Sequence, residues 1–247
     1  MSYAQNNRSE PSYSGFDRSV AEAGESERTA FIRRTYAHLA GAIAAFVAIE
    51  TLIFTMVPEA TLQSVFGTLF ANRFSWLVVL GAFMGVSWLA NHWASSSTSL
   101  ATQYLGLGLY VLAEAVVFLP ILYAASRFAP GAIGAAGIIT LAVFGGLTIV
   151  VFVTRADFSW LGRYLCLAGF VALGFMICGM LFNFGLGTWF AAIMVGVASG
   201  YILYDTSNVL HRYRASQHVA AALALFASVA LLFWYVLRIV MSFSNRN

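Results

Sequence analysis

Long apolar runs alternate with short polar breaks along this chain. Seven runs fall at roughly 36–57, 74–93, 100–123, 131–153, 164–182, 188–208 and 219–243. Each suits a hydrocarbon core of ~30 Å crossed at about 1.5 Å per residue. The runs are continuous, unlike the ~10-residue alternating segments of outer-membrane strands. The pattern predicts an all-α polytopic membrane protein with seven transmembrane helices. Its breaks carry turn chemistry, as at Pro58-Glu59, Ala129-Pro130-Gly131 and Thr154-Arg155-Ala156-Asp157. Asn183-Phe184-Gly185 is so short that spans five and six are expected to form a tight antiparallel hairpin. Residues 1–30 are rich in Ser, Gly, Asn and Glu and read as a disordered cytoplasmic tail, leaving 31–247 as the membrane domain. That tail lacks the apolar stretch of a secretory signal, so the first span is expected to act as the insertion signal.

Composition sharpens the membrane reading. The chain is 60% hydrophobic and 9% charged, against about 25% charge in soluble domains, which excludes a soluble fold. A net charge of +3, spread along the chain, gives no basis for nucleic-acid binding. The lipid bilayer is the partner that composition names. Cys166 and Cys178 share one span about 18 Å apart along a helix axis, too far for a disulfide.

Arginines set an orientation. One side collects Arg28, Arg33, Arg34, Arg155, Arg163, Arg212 and Arg214, and the other has Arg73, Arg127 and Arg246. The positive-inside rule then places the amino terminus in the cytoplasm and, after seven crossings, the carboxyl terminus outside. Gly81-x-x-x-Gly85 and Gly196-x-x-x-Gly200 have helix-contact spacing and are read as packing positions within the bundle.

Four charged side chains lie inside the spans: Glu50, Glu114, Asp205 and Arg238. A charge in hydrocarbon costs roughly 2.5–3.5 kcal/mol on insertion scales, so such residues pair or line polar paths. On the orientation above, Glu50, Glu114 and Arg238 fall in the outer half of the membrane as a paired cluster. That cluster reads either as a static salt bridge or as part of an ion path. Asp205 falls near the inner end of span six, with no base at its depth. A carboxylate at a helix C-terminus opposes the macrodipole, and Ala198, Tyr201, Ile202 and Val209 give it a mostly apolar face. It reads as a proton-sensitive switch, against the plainer reading of a side chain reaching cytoplasmic water. His38, His92, His211 and His218 lie near span edges and read as interfacial, and Tyr36, Trp76, Trp93 and Trp189 as interface anchors.

Three strings resemble those of a known family. They are Phe31-Ile32-Arg33-Arg34-Thr35-Tyr36-Ala37-His38-Leu39-Ala40-Gly41-Ala42, Gly200-Tyr201-Ile202-Leu203-Tyr204-Asp205-Thr206-Ser207, and Leu231-Leu232-Phe233-Trp234-Tyr235-Val236-Leu237-Arg238-Ile239. Over about residues 30–243 the chain is similar to the bacterial branch of the Bax-inhibitor-motif transmembrane family. The resemblance implies six helices around a central seventh and a pH-sensitive calcium leak. It also implies an aspartate at the end of span six, matched by Asp205, paired with a second aspartate early in span seven. Here that second position reads Ala227-Ser228, and span seven holds no Asp or Glu. Ser228 can hydrogen-bond Asp205 but cannot share its charge.

The leading expectation is a pH-sensitive calcium leak channel of the bacterial inner membrane. Asp205 is its titrating residue and tentative calcium contact, and Ser228, Glu50, Glu114 and Arg238 join it in the gate or ion path. No cofactor is expected, calcium being the transported ion. The alternative is a non-conducting regulator that binds a membrane quality-control protease through its tail, a link the resemblance supplies. Aspartyl protease chemistry needs two aspartates sharing a proton, and Gly185-Leu186-Gly187-Thr188 has threonine where the second would stand, so no enzyme is expected.

Overall fold

The computed structural model describes residues 19–244 apart from 72, 97, 98 and 183. Among them the chain forms α1 (Glu25–Met56), α2 (Glu59–Ala71), α3 (Arg73–Ala94), α4 (Leu100–Phe128), α5 (Ala132–Thr154), α6 (Leu161–Phe182), α7 (Gly187–His211) and α8 (His218–Ser244). All but α2 are long and apolar enough to cross a membrane, giving the seven expected spans. α2 is an addition. Its 13 residues follow Pro58, which holds Val57 extended and ends α1. Arg127 at the end of α4 reaches α2 through an ion pair with Glu59 at 2.8 Å.

Of the tail expected over residues 1–30, residues 1–18 lie outside the described residues. The rest is placed. α1 begins at Glu25, eleven residues before the apolar run, and Ser19 makes an antiparallel bridge with Arg214. The Val20 amide donates to the Tyr213 carbonyl at 2.8 Å, and the Val20 side chain is fully buried. This strap ties the segment before α1 to the connection between α7 and α8.

α8 is the most buried span, in contact with α1, α4, α5 and α7 along its length. Its first half, Val219-Ala220-Ala221-Ala222-Leu223-Ala224-Leu225, is mostly small side chains, which let neighbouring backbones approach where lipid offers no hydrophobic drive. α6 packs chiefly on α7, forming the expected hairpin, and Tyr235 of α8 reaches Met176 Sδ at 3.9 Å. Close approach is demanded most at Gly106, where a Cβ would fall 2.5 Å from the Ala90 carbonyl oxygen of α3. Gly81 and Gly85, expected to pack inside the bundle, are exposed on α3 and a Cβ on either would meet nothing within 4 Å. Gly200 alone of the four is tight, against Leu165.

Candidate functional site

The string Tyr204-Asp205-Thr206-Ser207 turns about 100° per residue near the end of α7, so its four side chains face four neighbours. The Tyr204 ring lies over Gly162 of α6, where a Cβ would come 2.7 Å from Cε2. Ser207 Oγ accepts the Phe158 amide at 2.9 Å and so fixes the loop between α5 and α6. Thr206, and Thr148 of α5 with it, turns toward Tyr36 of α1. Asp205 faces α8, where Ser228 Oγ donates to its Oδ2 at 2.5 Å. Asp205 is 7% exposed and Ser228 4% exposed, so the bond crosses a closed seam.

The two residues that the sequence singled out on spans six and seven are thus brought together. The expected trio is not. Among the described residues none of Glu50, Glu114 and Arg238 makes an ion pair. Depth explains this. The His38 ring of α1 lies tilted against that of His218 of α8 at 5.1 Å between centroids, and its Nε2 meets the Tyr104 hydroxyl of α4 at 2.9 Å. Counted from that common level at 1.5 Å per residue, Glu50 lies about 18 Å along its helix, and Glu114 and Ser228 about 15 Å along theirs. Arg238 lies a further ~15 Å beyond Ser228 along α8, out of reach. Three carboxyls, on α1, α4 and α7, therefore occupy nearly one level around α8, and the outer-trio and inner-aspartate division is corrected.

Their surroundings differ. The Tyr110 hydroxyl, one turn before Glu114, faces its carboxyl, and Asp205 acts on the same hydroxyl from α7. Glu50 has both oxygens buried without a hydrogen-bond partner. Toward the arginine-rich end lie further buried polar atoms without protein partners: the hydroxyls of Thr35, Tyr36, Thr148 and Thr206, Asn208 Oδ1 and His218 Nδ1. Tyr36 is therefore not an interface anchor. Its ring packs inward, 5.9 Å from Phe152. His38 and His218 also turn inward to each other, a pairing that spacing along the sequence does not reveal.

Outside the spans, two groups are shifted. Hydrogen bonds from Ser159 hold the Asp157 carboxyl below its ordinary range. Burial, helped by Asp205, pushes the Tyr213 hydroxyl up. Among the described residues no three or more His, Cys, Asp or Glu side chains gather to hold a metal ion. Asp205 and Ser228 supply two or three oxygens where a resident calcium takes six to eight, so they do not form a calcium site by themselves.

The family model described as "Inhibitor of apoptosis-promoting Bax1" matches residues 28–245. Bax inhibitor 1 of Schizosaccharomyces pombe is 28% identical over 243 residues, covering 92% of this chain and 82% of the yeast protein. Protein LIFEGUARD 4 of Arabidopsis thaliana is 27% identical, covering 86% of this chain and 84% of its own length. An uncharacterized protein of Pseudomonas aeruginosa is 30% identical over 168 residues, 66% of this chain and 72% of that protein.

Proposed function

The chain belongs to the Bax inhibitor family, and on that footing we propose that it is a pH-sensitive cation leak, with calcium as cargo and the Asp205–Ser228 contact as its closed gate. The observation that carries this reading is the buried hydrogen bond between Ser228 Oγ and Asp205 Oδ2, which joins α7 to α8. Loss of a proton places a full charge in that seam. The titratable groups around it are Tyr110 of α4, Tyr213 of the connecting loop and Tyr201 of α7, and none of them is a cation. An entering cation neutralises the charge that the protein leaves uncompensated. The buried hydroxyls of Thr35, Tyr36 and Thr206, between the arginine-rich end and Asp205, offer a polar approach. Glu114 and Glu50, at the same level, extend the acidic ring. The membrane is the bacterial inner membrane, with the arginine-rich end and the amino terminus cytoplasmic and the carboxyl terminus periplasmic, in keeping with the positive-inside rule and bacterial relatives.

The test is flux into liposomes loaded with a calcium dye. Wild-type flux should rise between about pH 6 and 8, while Asp205→Asn should give a flat profile. Equal pH-dependent flux from both proteins would remove Asp205 from gating. No flux above empty liposomes would end the leak reading altogether.

A further inference from the structure

A cavity of about 480 Å³ lies between α1 and α5, within the roughly 300–1,000 Å³ range of small-molecule sites. Phe46 and Phe54 of α1, Phe118 of α4, and Phe226 and Phe233 of α8 form its walls and floor. α1 leans on α4 and α8, while α5 leans on α7 and α8, so the two part above α8. The rim residues Val47 and Thr51 of α1, and Ile133 and Leu141 of α5, are exposed. Since α1 and α5 are both spans, the mouth opens sideways onto the bilayer, and whatever enters comes from lipid.

The polar content of this cavity is uneven. Thr51 and Thr55 satisfy their hydroxyls on their own helix, donating to the Val47 carbonyl at 2.7 Å and the Thr51 carbonyl at 2.8 Å. Thr140, which also lines the cavity, makes no such bond although it too is helical, and it is 3% exposed. Glu50 lines the cavity too, 6% exposed, and both of its carboxyl oxygens are buried without a hydrogen-bond partner. Two residues that line one apolar chamber thus carry three unpartnered oxygens, with no cation of the chain in ion-pair range of Glu50 among the described residues.

We propose that this chamber binds a lipophilic primary amine, its alkyl chain against the phenylalanines and its ammonium group on Glu50 and Thr140. A primary ammonium carries three N–H donors, matching the two carboxylate oxygens and the one hydroxyl, and it neutralises the charge. A long-chain alcohol offers one donor and no charge. A fatty acid brings a second carboxyl to the first. An acyl chain alone leaves all three acceptors as they are. The site does not depend on the leak reading, because binding and not flux is measured.

Purified full-length protein in detergent is incubated with dodecylamine, dodecanol or dodecanoic acid, and retained adducts are counted by native mass spectrometry. Wild type should retain one dodecylamine and neither of the others. Glu50→Gln should weaken retention about tenfold or more, the loss of a charge-assisted contact. Gly137→Leu fills the chamber wall from α5, where an added Cβ meets nothing within 4 Å, so it should keep the fold and abolish retention. Equal retention of dodecylamine and dodecanol by wild type overturns the proposal. So does unchanged dodecylamine retention by Glu50→Gln or by Gly137→Leu.

Discussion

Asp205 and Glu50 are two carboxyls at nearly one level beside α8, equally hidden, in opposite circumstances. Asp205 sits in the seam where α7 and α8 are packed along their length, and it accepts a hydrogen bond across that seam. Glu50 sits where α1 and α5 part, and it accepts none. Burial is the same and satisfaction is not. A buried polar group stabilises a fold only when partnered, and costs free energy when left alone. The difference separates a carboxyl that holds two helices from one held by its surroundings for something else to meet.

The sharpest way to break the comparison is Ser228→Ala, which removes the hydroxyl without adding volume and strands Asp205. It should destabilise by roughly 2–4 kcal/mol in an unfolding titration, because a buried carboxyl loses its partner. Glu50→Met should move the opposite way, stabilising by about 1–2 kcal/mol, since it removes an unpartnered polar group at similar volume. A destabilising Glu50→Met would mean that Glu50 has a partner in the native membrane. A double-mutant cycle between Asp205→Asn and Ser228→Ala should return a coupling of about 1 kcal/mol, whereas Glu50→Gln with Ser228→Ala should return about zero. The smallest effect belongs to Asp157, an exposed carboxyl beside Ser207. Its proton affinity is lowered in the fold, so its contribution is present above the unfolded value near pH 4 and vanishes as pH falls through the folded value. Asp157→Asn should therefore lower stability slightly at neutral pH, with the difference from wild type vanishing as pH falls below about 4, read by thermal unfolding at the two pH values.

The seven spans were legible because a bilayer fixes the length of an apolar run, and hydropathy measures that length directly. α2 escaped because its 13 residues are too short to cross and follow a proline that reads as a break. Asp205 and Ser228 were legible as a pair through family resemblance. The depth of the remaining charges was not. It was judged from the edges of the apolar runs, and α1 continues for eleven residues before its run begins. Arg238 was assigned to acids roughly 12–15 Å away along the bundle for that reason. The cleft at Glu50 was invisible for a different cause, since whether α1 and α5 touch is decided by how both lean on α8.

The strap at Val20 gives the amino-terminal segment a mechanical role. Its peg is the Val20 amide, and its eyelet is the Tyr213 carbonyl in the short connection between the two helices that Asp205 and Ser228 clasp. A load applied to residues before Ser19 arrives first at that connection, as on a pull-cord fixed beside a latch. Trimming the chain past Val20 cuts the cord and leaves the connection carrying only its own turn.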